Sequence, residues 1–204
     1  MRFSKEVVFE EDLEEIVNRV IKASEIIQAQ SNQKLLSVAF FDLVDSTLGK
    51  VTEGHETAIR KVIVFNEICN VITKMFNGTI VKNLGDGTLA KFENPVSACK
   101  AAMNIRHFSA RHGLLCKSVL TLGLVEEVKI SDRGDILGTC VDRCFRMEKI
   151  ASRNQILIDE YMYESISPFL INLTDIGVSE PYSIELKGLG NQQVREIIDK
   201  SNKD

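Results

Sequence analysis

The sequence predicts an α+β fold, and three patterns in the first half of the chain carry that prediction. A nearly continuous apolar run, Leu35–Phe41, ends at Asp42, which is typical of a strand covered on both faces. Apolar residues then recur at helical spacing over Glu56–Phe76, and Asn77-Gly78 stops this helix. Two short strand-like runs follow on either side of Gly85-Asp86-Gly87, whose glycines supply the positive φ angles of a hairpin.

A second helix and a further strand complete this pattern. Asn94-Pro95 places a capping residue before a first-turn proline, so we expect a helix from there to about Arg111. The apolar stretch Leu114–Leu124 then predicts a strand. The order strand, helix, hairpin, helix, strand is the split βαβ arrangement of ferredoxin-like sheets, and we expect no domain boundary inside it.

The remaining sequence predicts elements that extend this core. Val141–Ile150 has the pattern of a helix and Gln155–Ile158 that of a strand. Ser183–Leu186 and Val194–Ile198 predict closing strands.

An amphipathic helix is expected before the core, over Phe9–Gln30, because its apolar residues repeat at intervals of three and four. These residues are Leu13, Ile16, Val20, Ala23 and Ile27. About two heptads are too few for a stable coiled coil alone, so this helix should dock on its own chain or on a second copy. We therefore divide the chain into an N-terminal helical extension, residues 1–33, and a main domain, residues 34–204.

Composition excludes several classes of protein. The 204 residues are 44% hydrophobic and 26% charged, as in ordinary globular proteins, and the net charge of −4 gives no field that would attract nucleic acid. Five cysteines without a Cys-x-x-Cys pair indicate reduced thiols and a cytoplasmic location. No apolar run approaches the ~18 residues of a membrane span, so direct membrane insertion is not expected.

Two distant aspartates are expected to meet at one edge of the sheet. In a split βαβ unit the first strand and the first hairpin strand are parallel, so Asp42 and Asp86 lie at the same side. Two converging carboxylates suit Mg²⁺ or Mn²⁺, which would complete their coordination with water and the phosphates of a nucleoside triphosphate. The alternative is structural: Asp-Gly is a common turn pair, and Asp42 could cap the following loop.

Four segments resemble the signature blocks of class III nucleotidyl cyclases, in the order of that family. They are Phe41–Thr47 (FDLVDST), Val81–Phe92 (VKNLGDGTLAKF), Asp135–Met147 (DILGTCVDRCFRM) and Leu186–Leu189 (LKGL). The resemblance extends over about Leu35 to Ile198, so residues 34–204 would be a cyclase catalytic domain.

The resemblance implies that Asp42 and Asp86 hold two Mn²⁺ or Mg²⁺ ions per site, with the Leu43 carbonyl as a further candidate ligand. It also implies a homodimer, because cyclases of this class build each site between two subunits. The metal aspartates come from one subunit, and the residues for the base and the transition state come from the other. A monomer would then be inactive.

The same resemblance assigns the substrate-binding residues. Lys82 falls where adenylyl cyclases contact the base, and Asp135 falls where they carry the partner of that lysine. Arg146 corresponds to the arginine that steadies the α-phosphate in the transition state, a role that suits a planar fork of donors. Lys187 is expected at the terminal phosphates.

This chain departs from the family pattern at Asp142, where asparagine is usual, and at Asp45, where glycine is frequent. Asp142 lies four residues before Arg146, so it could hold that arginine in an i,i+4 ion pair. It could instead contact the ribose, or the change could mark a loss of activity.

The base is left open by the sequence. A lysine donor beside an aspartate acceptor fits adenine, cytosine or, with rearrangement, uracil, whereas guanylyl cyclases usually carry glutamate at the position of Lys82. Together with the Val141–Cys144 block, the short chain most resembles the stand-alone bacterial pyrimidine cyclases of anti-phage (Pycsar) systems. We therefore favour a UTP or CTP cyclase that makes cUMP or cCMP, sensed by a separate effector protein. An adenylate cyclase is the first alternative, and a degenerate cyclase domain that only binds nucleotides is the second.

Overall fold

The computed structural model describes residues 15–21, 33–44, 54–130 and 133–200. In chain order they are β1 (Gln33–Leu43), α1 (His55–Met75), β2 (Thr79–Leu84), β3 (Gly87–Phe92), α2 (Pro95–Arg111), β4 (Cys116–Ile130), β5 (Arg133–Leu137), α3 (Thr139–Glu148), β6 (Ile156–Asp159), α4 (Glu160–Ile166), a 3₁₀ helix (Ser167–Asn172), β7 (Ile176–Val178), β8 (Tyr182–Leu186) and β9 (Gly190–Asp199).

The strands form one nine-stranded sheet in the order β2-β3-β1-β4-β6-β9-β7, with β5 paired to β4 and β8 paired to β9. Its first four strands have the order of a ferredoxin-like sheet, so the predicted α+β fold is confirmed. Both β1 and β2 are antiparallel to β3, which lies between them. The two strands therefore run in the same direction, as predicted.

Residues 1–33 and residues 34–204 form two separate units. Of the first unit, the structure describes residues 15–21 and Gln33, where β1 begins; residues 15–21 are helical and fall inside the predicted helix Phe9–Gln30. The rest of that predicted helix lies outside the described residues.

The sheet of the second unit carries a hydrophobic core on each face. Along β1, Phe41 and Leu43 pack with α1, α2 and α4, whereas Val38 and Phe40 pack with α3 on the other face. Successive side chains of a strand point to opposite faces, so Asp42 falls on the face of α3. The core thus places a carboxylate where the apolar run of β1 ends.

Local signals set the ends of the predicted helices. Asn94 caps α2, since its Oδ1 accepts hydrogen bonds from the backbone N–H groups of Val96 at 2.9 Å and Ser97 at 3.2 Å. After α1, Asn77 adopts a φ of 58° and Gly78 N–H donates to Thr73 O. The five cysteines are all free, and all are buried, as is usual for free cysteines that pack as small hydrophobic residues.

Several short elements are absent from the sequence prediction. The helix α4 and the strands β5 and β7 are too short to show a clear apolar period. The strand β4 continues to Ile130, beyond the predicted end at Leu124, because its last residues pair with β5. Among the described residues, every helix falls short of the length or the apolar character needed to cross a bilayer.

Candidate active site

The ends of β1 and of the β2–β3 hairpin bring Asp42 and Asp86 together. Asp42 pairs with Gly87 at the start of β3, and the N–H of Leu43 donates to Asp86 O at 3.1 Å. The two carboxylates therefore belong to adjacent backbone segments, as the predicted topology requires. Leu43 itself is buried at this junction.

A polar network holds the hairpin turn that carries Asp86. Gly85 has a φ of +80°, and its carbonyl accepts a hydrogen bond from Asn66 Nδ2 of α1 at 2.9 Å. The buried hydroxyl of Thr88 lies 2.9 Å from Asn66 Oδ1 and 3.1 Å from Asn83 Oδ1. Sequence reasoning missed Asn66, because a polar residue within an amphipathic helix gives no sign of a distant partner.

Gly87 is needed for the close approach of the hairpin to β1. A Cβ atom built on Gly87 would lie 2.4 Å from Cζ of Phe40. A side chain there would push β3 away from the end of β1, and Asp86 with it.

Burial and nearby negative charge disfavour the ionised form of Asp42 when no cation is bound. The pKa of Asp42 is raised from 3.8 to about 6, with burial as the largest cause; the negative charges of Glu148 and Asp86 also raise it, and Lys117 lowers it. A divalent cation bound by Asp42 and Asp86 would relieve this repulsion, so the donor set fits a hard metal that prefers oxygen. In the described part of the chain, no group of three or more His, Cys, Asp or Glu side chains could hold a metal. Within the described residues the candidate ligands are thus two carboxylates, and the Leu43 carbonyl stays a predicted ligand.

A lysine that sequence reasoning missed joins Asp42 to the end of α3. Lys117 Nζ lies 3.6 Å from Asp42 Oδ2 and 2.7 Å from Glu148 Oε1. It also donates to the backbone carbonyl of Glu148 at 3.0 Å. Lys117 is the second residue of β4, so no sequence spacing relates it to either carboxylate.

Lys82 and Asp135 form a direct ion pair within one chain. Lys82 Nζ donates to Asp135 Oδ2 at 2.6 Å, and the other oxygen of Asp135 accepts from the N–H of Ile136 at 2.9 Å. The hairpin of β4 and β5 brings Asp135 to β2. One cationic donor and one anionic acceptor therefore lie side by side.

Arg146 lies in the last turn of α3 and points to the turn between β8 and β9. Its Nη1 donates to the backbone carbonyl of Lys187, and Gly188 lies beneath the guanidinium. Residues two apart in a helix point in nearly opposite directions, so Arg146 and Glu148 leave α3 on different sides. Arg146 is thus turned away from the contacts of Asp42, and the exposed Lys187 lies beside it.

The expected i,i+4 ion pair of Asp142 with Arg146 is wrong. No ion pair or hydrogen bond joins these side chains in the described part of the chain, and Asp142 is exposed. Arg146 donates a hydrogen bond to the backbone carbonyl of Lys187 instead. Asp142 is left at the surface of α3, available to a ligand.

A buried ion pair anchors α3 to the sheet. Arg143 Nε donates to Asp159 Oδ2 at 2.7 Å, and Arg143 Nη2 donates to the carbonyl of Leu122 at 3.0 Å. Asp159 Oδ1 accepts from the N–H of Met162 at 2.9 Å and so caps α4. This pair was not predicted from the sequence, because its partners belong to different elements.

Comparison with known proteins identifies the fold. No protein-family model matches the chain. A curated adenylate cyclase of Streptomyces coelicolor is 26% identical over 172 residues, which are 78% of this chain and 41% of that protein. The chain therefore spans less than half the length of this relative.

Several solved structures are similar in fold to this chain over most of its length. The adenylyl cyclase CyaB of P. aeruginosa has a TM-score of 0.73 at 20% identity, covering 85% of this chain and 98% of its own. The guanylate cyclase domain of RhGC from Catenaria anguillulae, in complex with GTP, has a TM-score of 0.70 at 18% identity, covering 83% and 99%. An adenylate cyclase of Trypanosoma brucei gives 0.70 at 14% identity, covering 85% and 91%. The chain therefore has the fold of the class III adenylyl and guanylyl cyclase domains.

Proposed function

We propose that the chain is a metal-dependent nucleotide cyclase, which converts a nucleoside triphosphate to a 3′,5′-cyclic nucleotide and pyrophosphate. The convergence of Asp42 and Asp86 at the end of β1, within this fold, is the observation that carries the proposal. In the reaction the substrate 3′-oxygen forms a bond to the α-phosphorus, and the bond from that phosphorus to pyrophosphate breaks.

Asp42 and Asp86 would hold Mn²⁺ or Mg²⁺, two ions per site, with the Leu43 carbonyl as a further ligand. The chemistry that bound divalent ions supply is activation of the attacking hydroxyl and neutralisation of charge on the leaving phosphates. The raised pKa of Asp42 supports this assignment, because a half-buried carboxylate beside like charges gains most from a cation.

Arg146 would place its guanidinium on the α-phosphate, where charge develops in the transition state. Lys187 would contact the terminal phosphates, and Asp142 would contact the ribose or a group bound to it. Arg146 binds the Lys187 carbonyl and leaves α3 on a different side from Glu148, which Lys117 links to Asp42. We therefore propose that each site combines the aspartates of one copy with Arg146 of a second. A homodimer with two shared sites follows.

Lys82 and Asp135 would select the base. Their donor and acceptor fit adenine, cytosine and, with rearrangement, uracil. Guanine is disfavoured by the resemblance alone, because guanylyl cyclases usually carry glutamate at the position of Lys82. We favour UTP or CTP, because the Val141–Cys144 block resembles that of the pyrimidine cyclases of anti-phage systems; the product would then be sensed by a separate effector protein. ATP is the second candidate, since the curated relative is named an adenylate cyclase.

The product formed from each ribonucleoside triphosphate tests this proposal. Purified chain is incubated with Mn²⁺ and ATP, CTP, GTP or UTP in turn, and cyclic nucleotides are separated by chromatography. We expect one preferred substrate among UTP, CTP and ATP, with GTP the poorest. Formation of no cyclic product from any of the four would overturn the enzyme assignment and leave a nucleotide-binding domain.

The base assignment is checked by Lys82→Gln in the same assay. Removing one charged donor from a polar base pocket should lower kcat/KM for the preferred substrate by about tenfold or more and reduce its preference over GTP. Lys91→Gln is the matched control, since Lys91 is a strand lysine paired with Glu127 and should leave kcat/KM unchanged. An unaltered preference in Lys82→Gln would remove Lys82 from the base pocket.

A further inference from the structure

Lys117 places a positive charge beside Asp42, one of the two proposed metal carboxylates. Its Nζ is shared between Asp42 Oδ2 at 3.6 Å and Glu148 Oε1 at 2.7 Å, with the Glu148 carbonyl at 3.0 Å. The side chain of Lys117 is only 16% exposed, so water screens these contacts little. The ammonium group therefore sits within the electrostatic reach of anything that binds Asp42.

The ammonium group of Lys117 and a divalent ion would compete for the carboxylate of Asp42. A divalent ion bound by Asp42 would bring a second positive charge to the carboxylate that Lys117 contacts, and like charges at short range repel appreciably even at an effective dielectric constant of about 20. Lys117 can yield without leaving the site, because Glu148 offers it two acceptors that are both closer than Asp42.

We propose that Lys117 is a positioning residue that competes with the divalent cation for Asp42, and that Glu148 retains the lysine when the cation binds. This inference rests on the proposed function and adds to it the residues that set metal affinity. Lys117 holds the carboxylate in place before the metal arrives. The contacts of Glu148 with Lys117 set how strongly the lysine competes with the metal for Asp42.

Charge changes at the two positions should shift metal affinity in opposite directions. Lys117→Gln removes a competitor and leaves the negative charge of Glu148 uncompensated, so Mn²⁺ should bind more tightly. Glu148→Gln removes the anion that draws Lys117 away, so Mn²⁺ should bind more weakly. A purely structural role would instead make both variants bind metal less well.

The experiment titrates the full chain with Mn²⁺ alone and follows the free ion by electron paramagnetic resonance. We expect the Kd of Lys117→Gln to fall, and that of Glu148→Gln to rise, by about fivefold or more, given the short charge separations. Lys117→Arg keeps the charge and should stay near the wild-type Kd. Lys91→Gln is the matched control, because it removes a partly buried strand lysine from an ion pair elsewhere, and it should not change the Kd.

An unchanged or raised Kd in Lys117→Gln, or a shift in the same direction in both variants, would overturn the inference. Circular dichroism checks that each variant is folded, and Lys117→Met, which also removes the positive charge, takes the place of Lys117→Gln if that variant does not fold. Asp42→Asn tests the metal site separately from the role of Lys117. If it removes Mn²⁺ binding, the metal assignment holds whatever Lys117 does; if the wild-type chain binds no Mn²⁺, or binds it as Asp42→Asn does, both assignments fail.

Discussion

Replacing Asp42 or Asp86 by asparagine is expected to reduce cyclic-nucleotide formation by about a thousandfold or more. Asparagine keeps the shape of the side chain but removes the charge and one ligand oxygen, so the transferring phosphates lose their electrostatic stabilisation. Initial rates with saturating Mn²⁺ measure the loss. Asp175→Asn is the control, since Asp175 is exposed before β7 and should leave the rate unchanged.

Asp42→Asn should at the same time stabilise the metal-free protein at neutral pH. The pKa of Asp42 is raised in the folded state, so the folded chain binds more protons than the unfolded chain between pH 3.8 and about 6. Folding stability therefore falls as the pH rises through this window and stays lower above it. Allowing for solvent screening, the neutral side chain should raise the Tm at pH 7.5 by about 2–4 °C.

Thermal unfolding without added metal measures this effect. A Tm lowered by several degrees in Asp42→Asn would mean that the carboxylate serves the fold, for instance as a cap of the loop after β1, and not a metal. Retained turnover in Asp42→Asn or Asp86→Asn would contradict the metal assignment directly.

Loss of Arg143 is expected to destabilise the fold by about 3–5 kcal/mol, because it leaves Asp159 buried and uncompensated. Arg143 is 7% exposed and Asp159 is 1% exposed, and burial already raises the pKa of Asp159. The variant Arg143→Met keeps much of the side-chain volume, so the cost comes from the charge. Urea unfolding at pH 7 gives the free energy.

A control variant and a double variant test whether the loss of stability comes from the uncompensated charge of Asp159. Arg195→Met removes a partner of Glu160 in a more exposed ion pair and should cost about 1 kcal/mol or less. The double variant Arg143→Met/Asp159→Leu should recover much of the loss, since both charges are gone. A cost below about 1 kcal/mol for Arg143→Met would show that Asp159 does not depend on Arg143.

Long patterns in the sequence were enough to predict the elements that form the core. The strand β1 and the helices α1 and α2 were found close to their true ends, because apolar periodicity and the caps act locally. The strand β5 was missed even though it carries Asp135, since five residues show no period and its place depends on pairing with β4. Tertiary pairing, and not local preference, sets such elements.

The site residues also divide into those that the sequence could predict and those that depend on tertiary contacts. Asp42 and Asp86 could be brought together from topology alone, because the direction of two strands fixes where they end. Lys117 could not be found, since it meets Glu148 across 31 residues of chain and lies beside Asp42 only once β4 is in the sheet. The pair of Asp142 with Arg146 failed because helix spacing permits it, but a carbonyl from a distant turn competes successfully.

Mixing two inactive variants tests the central claim, that one active site joins the aspartates of one copy to Arg146 of another. Asp86→Asn and Arg146→Ala should each be inactive alone, yet an equal mixture should regain about a quarter of wild-type activity, because half of the dimers are mixed and each holds one intact site. A mixture of Asp42→Asn with Asp86→Asn should regain none, since every site then lacks an aspartate. Persistent inactivity of the first mixture, while light scattering shows dimers that exchange subunits, would contradict the shared site.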